Sequence, residues 1–321
     1  YGQPRYSGDA GQGNRYADNF LSRSRMALTV DTRTATEYGV VRTFGQGDFQ
    51  FQNFGNNNPN NVFALPGGAS NALQGAGGGY VAVEMVFIQF AGFTFGKSAS
   101  AYATPWHGYP GNNNSFLMGG HDTVTGVNNI QYTAQFGNGV SGTIGLDDPT
   151  VFNRTSLLNL GVGATPAAPV FSTTGATAVG ANAYGGTLVP DIVGRIRVDQ
   201  AWGLFQISGA AHLVNASYNV LGAGGIPNAL SEISGHPDAK WGGSVMAALQ
   251  IKNIPTGPGD DLKIDVSYSK GDTKNVISTS GASPSFAMFG STSYPGAYQS
   301  IGFGQTSDAV FLPGGYPELH A

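Results

Sequence analysis

Asn128-Asn129-Ile130-Gln131-Tyr132-Thr133-Ala134-Gln135-Phe136-Gly137-Asn138-Gly139-Val140-Ser141-Gly142-Thr143-Ile144-Gly145-Leu146-Asp147 is the stretch whose reading decides the fold. Ile130, Tyr132, Ala134 and Phe136 fall on one side of an extended chain, with Asn129, Gln131, Thr133 and Gln135 on the other. Apolar and polar residues in strict alternation mark a β-strand with one greasy and one wet face. Gly137-Asn138-Gly139 then reads as a tight hairpin, because such turns need left-handed backbone that Gly and Asn tolerate. The returning strand sets Val140, Ile144 and Leu146 against Ser141, Thr143 and Asp147.

The same pattern spreads in both directions. Before it, Met26, Leu28 and Val30 oppose Arg23, Arg25, Thr29, Asp31 and Arg33, and after Thr34–Glu37 a second run sets Val41 and Thr43 against Arg42, Gln46 and Asp48. Val81 to Phe90 and Phe93 to Lys97 flank the turn Ala91-Gly92. Beyond it, Ile192, Ile196 and Val198 oppose Arg195, Arg197 and Asp199, and Phe205, Ile207, Ala211 and Leu213 oppose Gln206, Ser208, Ala210 and His212. Val245, Ala247, Leu249 and Ile251 oppose Ser244, Met246, Gln250 and Lys252, and Leu262, Ile264, Val266 and Tyr268 oppose Lys263, Asp265, Ser267 and Ser269. A weaker strand is predicted over Ala297 to Phe303. The joints alternate in length. Those near Thr36, Gly92, Asn138, Trp202 and Thr256 are short, while Asn53–Gly79, Ser98–Val127, Asp148–Pro190, Asn219–Ala239 and Asp272–Pro295 are long and rich in Gly, Asn, Pro and Ser. Short turns at one end and long loops at the other are the plan of an outer-membrane barrel.

Composition narrows the choice. The chain has 321 residues, 15 Lys+Arg against 19 Asp+Glu and a formal net charge of -4. A mildly acidic chain lacks the basic stripe that nucleic acid requires. Gly occupies 50 positions without a three-residue period, so the chain is not collagen. With no Cys there is no thiol catalysis, disulfide or Cys-ligated zinc. The longest apolar run, Val81 to Gly96, is broken by Glu84 and Gln89 and the mean hydropathy is -0.10, which excludes a helical membrane protein. No leader is visible at Tyr1 to Gly13, and the chain reads as mature or truncated.

Alternation alone leaves two readings open. In a soluble sandwich the apolar faces meet in a core. In a membrane barrel they face lipid and the polar faces border water. Three features favour the barrel. Charges of both signs crowd the polar faces, as in Arg195/Arg197/Asp199 and Lys263/Asp265. The apolar faces use small residues such as Ala134, Ala211 and Ala247, which lipid accepts and a close-packed core does not. Charged residues total only 11 %, against roughly 25 % in soluble domains, and an outer face in lipid needs none. The competing reading is a secreted β-rich binding or adhesin-like structural protein.

Several segments carry a resemblance: Ser22-Arg23-Ser24-Arg25-Met26-Ala27-Leu28 with Thr36-Glu37-Tyr38-Gly39, then Phe87-Ile88-Gln89-Phe90-Ala91-Gly92-Phe93-Thr94-Phe95-Gly96-Lys97, Tyr132 to Ser141, and Asp308-Ala309-Val310-Phe311. From about Arg23 onward the chain resembles the alphaproteobacterial general porin family. The resemblance implies an all-β fold, a transmembrane antiparallel up-and-down β-barrel in the cell outer membrane. This chain would hold about 10–12 strands of a 16-stranded barrel. It implies a single domain over residues 1–321, a homotrimer, and passive passage of small hydrophilic solutes and ions with no cofactor. The chain departs from the family in its strand count and in its ending Pro317-Glu318-Leu319-His320-Ala321, so it reads as a fragment lacking the first and last strands.

By the same resemblance, residues from Lys97 to about 125 form an inward-folded loop that narrows the pore, carrying Lys97, Tyr102, Trp106, His121 and Asp122. The expected pore-lining cations are Arg23, Arg25, Arg42, Arg195, Arg197, Lys252 and Lys263, with Asp122 as counter-charge. Cations facing acids across a narrow bore set up a transverse field that low-dielectric walls focus. The plainer alternative makes some of these arginines wall residues in ion pairs, with Arg23, Arg33 and Lys97 at a rim near lipid headgroups. Other signals fail their own tests. None of the five His residues has a partner at metal-ligand spacing, so no metal site is expected. Gly75 to Gly79 precedes a strand rather than opening a helix, so it is no phosphate loop. No Gly-x-Ser-x-Gly elbow is present, and the chain is not expected to be an enzyme. Trp202 and Trp241 suit an interfacial aromatic girdle.

Overall fold

The computed structural model describes residues 23–52, 80–106, 126–149, 158–159, 181–182, 185–216, 237–272, 275, 308–312 and 318–320. The predicted strand over Ala297 to Phe303, and His107, His121 and Asp122, lie outside the described residues. Five hairpins dominate: β1 (Arg23–Thr36) with β2 (Gly39–Gln52), β3 (Tyr80–Phe90) with β4 (Phe93–Ser98), and β5 (Val127–Gly137) with β6 (Val140–Asp147). After the short β7 (Leu158–Asn159) and β8 (Ala181–Asn182) come β9 (Asp191–Gln200) with β10 (Gly203–Val214), and β11 (Lys240–Lys252) with β12 (Asp261–Lys270). β13 (Val310–Leu312) and β14 (Glu318–His320) join β7 and β8 in a separate four-stranded sheet.

The main sheet has ten strands in the order β1-β2-β3-β4-β5-β6-β9-β10-β11-β12, every neighbouring pair antiparallel. This is an up-and-down meander with each long strand beside its predecessor. Nearly every strand backbone group is thereby paired within the sheet, which hydrocarbon demands because it offers no substitute partner. Among the described residues β1 and β12 each have one neighbour, and the join that would close a barrel is not among them.

Turn chemistry holds the register. Ala91-Gly92 (φ 49° and 87°) and Asn138-Gly139 (φ 49° and 75°) are two-residue turns with both residues left-handed, the hand that matches strand twist. Gly139 has a second constraint. Its carbonyl accepts the Asp199 amide at 2.8 Å, and a Cβ there would overlap the Asp199 carbonyl. Gly139→Ala is therefore expected to destabilise the protein by about 1–3 kcal/mol, read as a lower urea midpoint.

The faces run inside out for a water-soluble protein. Leu28 is 55 % exposed, Ile196 62 % and Val266 68 %, whereas polar Gln206, Ser208, His212, Asp48 and Asp191 on the opposite faces are buried. In β5 the pattern is continuous: Asn129 and Gln131 are buried while Ile130 and Tyr132 are exposed. β3 contains a device that simple alternation does not show. Its pairing with β2 shifts between Gln46 and Gly47, where Met85 and then Val83 are the partners and Glu84 is passed over. This bulge keeps Val81, Val83, Val86 and Ile88 all outward while turning Glu84 and Phe87 inward. Without it, the strand would present Phe87 outward and Val86 to the interior.

Candidate functional site: the polar face and the segment seated on it

Directly after β4 the chain turns onto the polar face of the sheet instead of away from it. Ser98, Ser100 to Thr104 and Trp106 are all buried. A turn closes with the Ala103 amide on the Ser100 carbonyl (3.0 Å), and the Ser100 hydroxyl accepts the Tyr102 amide (3.0 Å). Side chains from successive strands reach its backbone. Gln131 of β5 donates to the Ala99 carbonyl (3.3 Å), Gln206 of β10 to that of Ala103 (2.8 Å), Ser208 to that of Ala101 (3.5 Å) and Arg197 of β9 to that of Pro105 (3.4 Å). At the segment's root, Asn129 donates to the Ser98 carbonyl (3.0 Å) and hydroxyl (2.8 Å). A polar wall suits this task because each amide and hydroxyl satisfies a loop carbonyl that would otherwise be buried unpaired. Burial pushes the Tyr102 phenol up to about 12, with the Ser244 and Ser267 hydroxyls beside it offsetting part of the rise. Since this value lies above the phenol's ordinary 10.0, any stability tied to the neutral phenol is complete below pH 10 and is lost only as pH climbs toward 12.

The cations on the polar face are mostly paired with a neighbour. Arg25 forms an ion pair with Asp48 and lies 3.8 Å from Glu84. Arg42 grips Asp31 with two bonds (Nε to Oδ1 2.8 Å, the second 3.0 Å), donates to Gln89 (2.9 Å) and stands 5.2 Å and 5.4 Å from the Phe44 and Phe87 ring centroids. Those rings stack with centroids 5.0 Å apart, so the guanidinium is held by a fork on one side and aromatic faces on the other. Arg197 holds Asp199 through Nε (2.7 Å) and a second nitrogen (2.8 Å), and Lys263 lies 3.3 Å from Asp261. Arg195 differs: its Nε donates to the Thr143 hydroxyl (3.2 Å), and no carboxylate lies within ion-pair distance of it among the described residues. Lys252 ends β11 at the short-turn rim. Arg23 begins β1 opposite Gln52. Lys97 has the outward parity of Phe93 and Phe95, and its ammonium reaches the Glu84 carbonyl at the bulge (3.2 Å). Tyr102 and Trp106 are buried on the inward segment, and Gln206 and Arg197 bond the carbonyls of their chain neighbours Ala103 and Pro105.

Sequence reasoning did not anticipate the cluster around His212. Its Nδ1 lies 2.6 Å from Asp191 and its Nε2 3.9 Å from Asp308. Asp272 accepts from Ser244 and Asn275 (2.7 Å each), and one ligand atom from each of Asp191, His212 and Asp272 falls within 4.8 Å of the others. One nitrogen with two carboxylates is a donor set that a divalent cation accepts, and among the described residues no other group of this kind occurs. The four residues come from β9, β10, the end of β12 and the approach to β13, so no local spacing announces them.

Outward apolar faces, an inward polar face threaded by a loop, and short turns opposed to long connections define the wall of an outer-membrane β-barrel channel. The family comparison agrees: residues 1–305 match the family described as the porin subfamily, and the chain belongs to it. Porins are channels rather than enzymes. Among solved structures, the chain is similar to the outer membrane channel DcaP of Acinetobacter baumannii, with 11 % identity and a TM-score of 0.43 over 80 % of this chain and 64 % of that one. The chain thus spans just under two thirds of that structure's length. No curated protein sequence matches it.

Proposed function

We propose that the protein is a general diffusion porin, a water-filled channel through which small hydrophilic solutes and ions cross the outer membrane down their gradients. The observation that carries this is the inward polar face together with its bound segment, residues 98–106. Diffusion needs no reacting group. It needs an aqueous bore of limited width and fixed charges along it. In this reading residues 97–125 are the constriction loop of a single barrel domain, and Arg42 and Arg195 are its principal tuning cations. Arg42 has solvent access while held in place, and Arg195 keeps its charge beside the neutral Thr143. The assembly is a homotrimer, as the family resemblance implies. The exposed apolar strand faces weigh against a water-soluble adhesin-like protein, which would have to hide them.

Reconstitution into liposomes tests the function. Vesicles holding the protein should swell in small sugars at a rate that falls steeply with sugar size. Swelling equal to protein-free vesicles, from protein that is folded in the membrane, would refute the channel. Cross-linking in detergent should give a trimer band.

A further inference from the structure

We propose that Tyr102 is the positioning residue of the inward segment, its ring seated in an apolar socket that Val193, Ala210 and Met246 build into an otherwise polar wall. The proposal rests on the channel reading above. Val193 belongs to the inward set of β9 with Asp191 and Arg195, and Met246 to that of β11 with Ser244. Pairing makes the three contiguous: Ala210 is opposite Val193 and Ser244, and Met246 is opposite Ser208, one inward position along from Ala210. Ala101, Tyr102, Val193 and Met246 form one buried cluster with Ala210 packed against it.

An apolar side chain aimed at an aqueous bore gains nothing unless something covers it. Here the cover is Tyr102, itself without solvent exposure. The surrounding hydrogen bonds from Gln131, Gln206, Ser208 and Arg197 to loop carbonyls fix the segment's course. Water can replace each of those bonds when the loop lifts, so singly they hold it weakly. Burial of the ring has no such substitute. The socket therefore sets how far the segment stands off the wall, and hence the aperture left beside it.

Single-channel recording and sugar-swelling assays on the full chain test this with three variants. Tyr102→Ala empties the socket from the loop side, and Met246→Ser spoils it from the wall side without touching the lipid face. Each should raise conductance about twofold and admit larger sugars, because a released loop no longer narrows the bore. Tyr102→Phe should match the parent, since the ring and not the hydroxyl does the anchoring. Gel migration of unheated samples should show a folded barrel for each variant, which separates a moved loop from a damaged barrel. Parent-like conductance and size limit in folded Tyr102→Ala would overturn the anchor and leave the channel intact. If Tyr102→Ala does not fold, the same parent-like result in Met246→Ser overturns it. A parent protein that conducts nothing overturns the channel reading and the anchor together.

Discussion

Ile196→Arg is expected to cost the folded protein about 2–4 kcal/mol in a bilayer, the price of a guanidinium on the lipid face near mid-span. Ile196 sits mid-strand in β9 with 62 % of its surface exposed. On a water-soluble protein such a site would accept Arg within about 0.5 kcal/mol, because exposed positions are tolerant there. The two outcomes are far enough apart to decide which side of the sheet is wet. Gln135→Arg is the control, since Gln135 is exposed and shares the inward parity of Gln131 and Thr133. It should leave stability unchanged. Urea titration of the protein in lipid vesicles, followed by tryptophan fluorescence, measures both. Equal midpoints for Ile196→Arg and the parent would mean that the exposed apolar faces do not meet hydrocarbon.

The second large effect separates two arginines that look alike in the sequence. Asp48, the partner of Arg25, has no solvent exposure, and buried Glu84 stands nearby. Arg25→Gln strands the Asp48 carboxylate, and a broken buried pair costs about 3–5 kcal/mol. The low end applies because Arg25 itself is partly exposed. Asp31, the partner of Arg42, keeps 31 % of its side chain exposed. Arg42→Gln should therefore leave a folded, stable channel with an uncompensated carboxylate at the water boundary. A unit charge acting at 4 Å through water is worth about 1 kcal/mol, or about a fivefold change in local ion preference. Reversal potentials in a salt gradient should move toward cations for Arg42→Gln, and the unfolding midpoint should fall for Arg25→Gln. Identical behaviour of the two variants would refute the distinction.

The same contrast shows where sequence reasoning stops. That Arg25 and Arg42 point to the polar face follows from alternation. That Arg42 binds Asp31 and Arg25 binds Asp48 follows from cross-strand register, in which Arg25 is paired with Gln50 and Asp31 with Phe44, so each partner is a diagonal neighbour. The inward turn of residues 98–106 was expected only by family resemblance. The polar residues that receive it, Gln131, Gln206 and Ser208, look like any lumen-facing residues in the linear pattern. Val193 and Met246 look like lapses in that pattern until Tyr102 is seen on top of them.

What the linear chain determined is therefore the set of faces and turns. Side-chain direction reverses at each residue, and left-handed turns demand Gly or Asn at particular positions, so both are written within a few residues. What only the folded sheet decided is who meets whom: the bulge that carries Glu84 inward, the carboxylates gathered on His212, and the socket beneath Tyr102. These pairings join residues far apart in the chain, as between Tyr102 and Met246. They depend on the accumulated register of several hairpins and on the path of one loop across them, and no local period records either.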